Sequence, residues 1–208
     1  MPRLDSTAVE LDVVFLGTSG SMPTARRALS ATLVRRGGDR LLFDCAEGTQ
    51  RQLLRSDVGL VELEEIFLSH YHADHYLGLP GMLKTFALRG REIPLTIYGP
   101  KGLDELFGTL RRIFGRLTYP VSTVVLEPDA RLERDGYAIV PFRVEHGVAA
   151  IGYALVEDER PGRFDVIAGH IAIRRIGKAV RVQLLGVERS DQSLHVWVLV
   201  RASHEPDH

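Results

Sequence analysis

The segment His70-Tyr71-His72-Ala73-Asp74-His75 places three imidazoles and a carboxylate within six residues. Imidazole is the commonest side-chain metal ligand and is largely neutral at physiological pH. Residues two apart in an extended segment point the same way, so this spacing aims His70 and His72 at one ion. Asp74 and His75, one step further round a turn, can face a second. Two divalent ions about 3.5–4 Å apart can clamp the attacking and leaving oxygens of a phosphodiester, which is the chemistry of a two-metal hydrolase. The competing interpretation is a solvated polar loop. His146, in Val144-Glu145-His146-Gly147, sits at the end of a predicted strand. Taken alone it reads as a surface or core-edge histidine; its place at a strand terminus lets it complete a three-histidine shell for the first ion.

Those side chains need elements to hold them. Short apolar runs at 11–16, 30–36, 40–44 and 65–69 predict strands, with Gly37-Gly38-Asp39 as a hairpin turn between the second and third. Helical spacing covers 48–55, 78–88 and 103–114, a further strand lies at 95–98, and 121–126, 137–144 and 151–156 are strand-like again. The histidines of 70–75 then occupy a loop at the C-terminal end of a strand. Strands interleaved with surface helices predict a layered α/β architecture, and no internal repeat interrupts it.

Composition narrows the partners. At 208 residues and 45% hydrophobic content the chain can bury one sizeable core, with two domains as an upper limit. A net charge of −1 shows no global preference for nucleic acid, so attraction to phosphate must come from local clusters. Arg26, Arg27, Arg51 and Lys84 are the candidate RNA contacts, with Arg35, Arg36, Arg89 and Arg91 near them. An ordinary solvated surface is the alternative, since 25% charged residues is average. Cys45 is the single cysteine, which excludes an internal disulfide and fits a reducing, cytoplasmic setting. No signal-peptide core and no run of about 18 apolar residues is present, so a soluble, unsecreted chain without membrane contact is expected.

Several pieces together carry a family resemblance: Phe15-Leu16-Gly17-Thr18-Ser19 with Pro23; Leu42-Phe43-Asp44-Cys45-Ala46-Glu47-Gly48-Thr49-Gln50; Ser69 to His75 followed by Gly78-Leu79-Pro80-Gly81; and Leu95-Thr96-Ile97-Tyr98-Gly99-Pro100. With the Glu145-His146 segment, Gly152-Tyr153 and Gly162-Arg163-Phe164-Asp165, the chain resembles ribonuclease Z over about residues 11–166. The resemblance implies the metallo-β-lactamase fold, an αββα sandwich of the α/β class, incomplete here in its C-terminal half. It divides the chain into a catalytic region, 1–166, and a divergent tail, 167–208, read as a β-hairpin of 180–187 with 194–200 plus a frayed terminus.

By the same resemblance the activity is endonucleolytic maturation of tRNA 3′ ends, by a homodimer with two zinc ions per subunit. His70, His72 and His146 would hold one zinc, Asp74 and His75 would contribute to the other, and Asp74 would take the proton of the attacking water. Asp44, Glu47 and Thr49 would lie beneath the metals, where outer hydrogen bonds orient ligating imidazoles. Asp44 and Glu47 read equally well as caps for the helix at 48–55. Ala46 replaces a glycine usual in the family, which matters only if the backbone there needs positive φ. The family's bridging aspartate, within Gly-Asp-Thr, and its late histidine have no counterpart. Asp191, His195, His204 and His208 are the remaining candidates, with Asp191 in a predicted turn, His195 in the predicted hairpin strand 194–200, and His204 and His208 in a polar terminus. The expectation is therefore a truncated or frame-altered relative whose first zinc site fills and whose second binds weakly. Two further possibilities are a hydrolase of another phosphodiester or ester on the same fold, and an inactive remnant that folds poorly or holds one metal at most.

Overall fold

The computed structural model describes residues 10–60 and 63–158, and the backbone of 164–167, 170–173 and 198–202. The described residues group into two compact units, one running to Leu126 and including Glu145–Ala150, the other formed by Glu127–Val144 and the chain from Ile151 apart from 189–196.

The first unit is built on a six-stranded sheet, β1 (Leu11–Gly17), β2 (Ala31–Arg36), β3 (Asp39–Phe43), β4 (Glu65–Phe67), β5 (Leu95–Gly99) and β6 (Val121–Val125), in that spatial order. β1, β2 and β3 pair antiparallel, β1 to β2 through the long loop of 18–30 and β2 to β3 through a tight turn at Gly37-Gly38. β3 to β6 run parallel, which demands crossovers. These crossovers carry α1 (Thr49–Arg55), α2 (Ala73–Tyr76), α3 (Leu79–Leu88) and α4 (Leu103–Phe114).

Alternation along the strands sorts their side chains. Leu33, Leu42, Ile66, Leu68, Leu95 and Ile97 join Leu53 of α1, Met82, Leu83 and Phe86 of α3, and Leu103, Leu110 and Phe114 of α4 in one buried cluster. From the intervening positions Phe43, Phe67 and Tyr98 stack across three strands, with centroids 5.0 and 4.6 Å apart. α4 follows its apolar periodicity closely, and its Asp104 and Glu105 at the first turn and Arg111 and Arg112 at the last suit the helix dipole.

The second unit contains β7 (Leu132–Arg134), β8 (Tyr137–Arg143), β9 (Ile151–Glu157) and β12 (Val198–Ala202), in the order β12-β9-β8-β7, with β12 parallel to β9. β10 (Phe164–Ile167) and β11 (His170–Ile173) form a separate antiparallel pair. Tyr137, Ile139, Tyr153 and Leu155 are buried in this unit.

The predicted strands and the helices at 48–55, 78–88 and 103–114 agree with these elements to within a few residues. Two differences matter. The supposed loop at 70–75 closes into one helical turn at Ala73–Tyr76, because a short polar run after a strand can satisfy its backbone locally as readily as in water. β7 is too short, at three residues, to leave a periodic signal. Of the expected tail hairpin, 180–197 lies outside the described residues, and 198–200 belongs to β12.

Candidate metal centre

The C-terminal ends of β3 and β4, adjacent parallel strands, deliver the chemistry, as the open edge of a parallel sheet commonly does. Beyond β3 the chain turns through Asp44, whose φ of 57° is unusual for a residue with a side chain. Its amide is held by the Phe67 carbonyl at 2.8 Å. Beyond β4 come Ser69 and His70, then the turn of α2. Two backbone bonds lock these segments together: Cys45 N–H to the His75 carbonyl at 2.8 Å, and Gly78 N–H to the Cys45 carbonyl at 2.9 Å. Contact is so close that a Cβ on Gly78 would stand 1.9 Å from the Ala46 carbonyl oxygen. Ala46 itself has no positive φ; the left-handed position in this turn belongs to Asp44. The alanine is thus accommodated without strain.

His70, His72 and His146 converge, each offering a ligand nitrogen within 4.8 Å of the others. His70 Nε2 lies 3.1 Å from His72 Nδ1, and His146 Nε2 lies 3.2 Å from the same atom. One imidazole nitrogen cannot satisfy two ring nitrogens at once by ordinary donation, since each neutral ring carries a single N–H. A shared cation can. Ligands at about 2.0–2.1 Å around a tetrahedral ion stand roughly 3.3–3.4 Å apart, close to the spacings found, so the donor set fits a zinc-sized ion.

Protonation favours the same interpretation. Burial, and then the charges of His75, His146 and His72, push His70 down from 6.5 to about 2. His146 is lowered too, first by burial and then by His72 and His75. Both rings therefore keep lone pairs at neutral pH, the form a metal requires.

Beside this cluster, His75 Nε2 faces Asp74 Oδ2 at 3.6 Å. Asp74 is fixed by the Ser21 backbone N–H, 2.9 Å from Oδ2. Burial alone would lower the His75 pKa, but the charge and hydrogen bond of Asp44, with the charge of Asp74, outweigh it and the net shift is upward. Among the described residues the three-histidine cluster is the one group of three or more that could hold a metal ion, and Asp74 and His75 stand beside it as a pair. Asp191, His195, His204 and His208 lie outside the described residues.

Asp44 is fully buried, and its carboxylate accepts from Ser69 N at 2.8 Å, Ser69 Oγ at 3.1 Å, Ser30 Oγ at 3.3 Å and His75 Nδ1 at 2.5 Å. It caps no helix: α1 begins at Gly48 without a side-chain cap, which also removes that role from Glu47. Glu47 is exposed. Thr49 donates to the Ala46 carbonyl at 2.7 Å, so it braces the loop and reaches no imidazole. Cys45 is buried, and burial, then the Asp44 charge, hold its thiol protonated.

Of the cations, Arg26, Arg27 and Arg51 are exposed. Lys84 donates to the Arg116 carbonyl at 3.2 Å, which occupies one of its three donors. Arg91 is buried, bonded to the carbonyls of Leu63, Ile93 and Pro94 and lying over the rings of Phe86 and Tyr119, which makes it part of the core. Arg36 is also buried. Side chains with long aliphatic stems often pack inward, and sequence alone does not tell which. Sequence alone does not single out Ser69, although a hydroxyl next to a candidate metal-ligating histidine is itself a signal. Ser21 acts through its backbone and leaves none.

This arrangement has relatives. The chain is 46% identical over 157 residues to a ribonuclease Z of Methanosarcina mazei, an alignment covering 74% of this chain and 51% of the relative. It is 42% identical over 157 residues to a ribonuclease Z of Myxococcus xanthus, covering 75% and 51%. Among solved structures, human tRNase Z, short form, superposes with a TM-score of 0.61 and 32% identity over 70% of this chain and 64% of that one. The chain spans about half the length of the curated relatives it matches. The sequence pattern of the metallo-beta-lactamase superfamily matches residues 25–197, well over half of the chain. With that span, and with the histidine cluster at the strand ends, the chain belongs to the metallo-beta-lactamase superfamily.

Proposed function

We propose that this chain carries the metal-binding part of a zinc-dependent phosphodiesterase that cleaves tRNA precursors at their 3′ ends. The observation that carries the proposal is the convergence of His70, His72 and His146 beside the Asp74–His75 pair, in a chain 46% identical to a ribonuclease Z. Zinc would be held by the three imidazoles, with Asp74 and His75 contributing to a second ion. When bound, the metal supplies Lewis-acid stabilisation of phosphoryl oxygens and lowers the pKa of water. Asp74 accepts the proton of the attacking water, and the Ser21 N–H keeps that carboxylate aimed. Arg26, Arg27 and Arg51, all exposed, position the RNA backbone by charge. A homodimer is the assembly we assign. No described helix is long and apolar enough to cross a membrane, and the cytoplasm is the compartment we assign.

The test is cleavage of a tRNA precursor by the purified chain, compared with cleavage of a small chromogenic phosphodiester. His72→Ala is expected to abolish hydrolysis. Turnover by that variant at the parental rate would refute the proposal, and turnover of the small ester alone would move the substrate away from tRNA.

A second reading is favoured by one observation, that among the described residues Asp74 and His75 stand only as a pair beside the three-histidine cluster. In it the chain binds one metal and does not turn over. Zinc content separates the two: two ions per chain support the enzyme, one supports the remnant.

A further inference from the structure

We infer that Ser69 is a positioning residue: its hydroxyl, held by Asp44, fixes the tautomer of His70, so that one buried carboxylate orients an imidazole in each half of the candidate metal centre. The inference rests on the metal-binding reading above and deepens it.

Geometry leads there in three steps. Ser69 is 1% exposed, so its hydroxyl must find its partners within the protein. Its Oγ lies 3.1 Å from Asp44 Oδ2 and 2.9 Å from His70 Nδ1. A hydroxyl has one proton to give. If that proton went to His70 Nδ1, the ring would carry its own proton on Nε2, the atom that meets His72 and faces the shared ion position. If it goes to Asp44, Ser69 Oγ accepts from His70 Nδ1–H and Nε2 is left with its lone pair.

The second arrangement wins, because a hydrogen bond to a carboxylate is roughly twice as strong as one between neutral groups. Two further contacts pin the carboxylate: Ser69 N–H reaches Oδ1 at 2.8 Å and Ser30 Oγ reaches Oδ2 at 3.3 Å. His75 Nδ1–H bonds Asp44 directly at 2.5 Å, which leaves its Nε2 for the side where Asp74 stands. Asp44 thus orients His75 by contact and His70 through Ser69. The left-handed backbone at Asp44, φ 57°, is what brings its carboxylate under both rings, and strain of this kind is retained where it serves a site.

The test uses the full chain labelled with 15N-histidine, first free of metal. Long-range proton–nitrogen correlations report which ring nitrogen carries hydrogen. His70 is expected to carry it on Nδ1 in the parental chain and in Ser69→Thr, and to lose that preference in Ser69→Ala. Zinc affinity, read by competition with a chromophoric chelator, should fall about 10–100-fold in Ser69→Ala, as for other outer partners of metal ligands, and return in Ser69→Thr. A His70 proton on Nε2 in the parental chain overturns the inference without need of any variant, as does parental zinc affinity in a folded Ser69→Ala chain. Failure of the parental chain to take up zinc contradicts the metal reading itself, while the nitrogen shifts still decide the role of Ser69.

Discussion

Asp44 concentrates the demands of the whole centre on one side chain. Four donors converge on it in a fully buried position, so removing its charge leaves donors unmatched where water cannot replace the partner. Breaking a buried charged pair costs about 3–5 kcal/mol; Asp44→Asn is expected to lose stability of that order, measured by urea unfolding of the metal-free chain. The histidines add a pH dependence of defined sign. His70 is held at about 2 against an ordinary 6.5, so its contribution is full above the unfolded value and declines as pH falls below 6.5. His75 is raised, so its contribution is full below its unfolded value and declines as pH rises through the folded one. Metal-free stability should therefore decrease between pH 6.5 and 4.5, and the slope should be shallower in His70→Asn; an unchanged slope contradicts the assignment. At this scale the sequence was partly legible. The spacing His70-x-His72-x-Asp74-His75 pointed to a cluster able to hold a metal because imidazoles so close have few other uses, whereas the contacts of Asp44 depend on a backbone angle that no residue type reveals. Arg91 reads as a phosphate contact by charge and proximity, but it is buried among core partners, while Lys84 holds one carbonyl bond and keeps its other donors.

Elements position these residues by close backbone approach more than by side-chain packing. Gly78 is the clearest instance: the turn joining α2 to α3 rests on the Cys45–Ala46 peptide, and an added methyl would overlap the Ala46 carbonyl at 1.9 Å. Gly108, inside the exposed face of α4, meets nothing within 4 Å. The same substitution should act oppositely at the two places. Gly108→Ala is expected to stabilise by about 0.5–1 kcal/mol, the usual difference between glycine and alanine in a helix. Gly78→Ala should destabilise by about 1–3 kcal/mol, as overpacking does, and weaken zinc binding because it pushes the histidine turn away from Asp44. Thermal unfolding of both variants, with zinc titration of the second, checks the pair. Helix α4 was readable from its apolar stripe, and β2–β3 from alternation around two glycines. The one-turn helix at Ala73–Tyr76 was not, since four residues are fewer than the window over which periodicity can be counted.

Across the whole molecule, the shared superfamily pattern and the half-length match to ribonuclease Z relatives define what the chain can and must supply. The first unit provides the parallel sheet edge and all five proposed ligands, because Glu145–Ala150 returns His146 to it. The proposed homodimer is checked by light scattering of the parental chain, where a mass of two chains is expected and a monomeric mass contradicts it. Zinc per chain tests the central claim most directly. After loading and exhaustive dialysis, the parental chain is expected to retain at least one zinc, and His72→Ala to lose one, with an affinity loss beyond the roughly 10–100-fold that an outer partner costs. A parental chain that retains none, or a His72→Ala chain that retains as much as the parent, contradicts the account that His70, His72 and His146 share an ion.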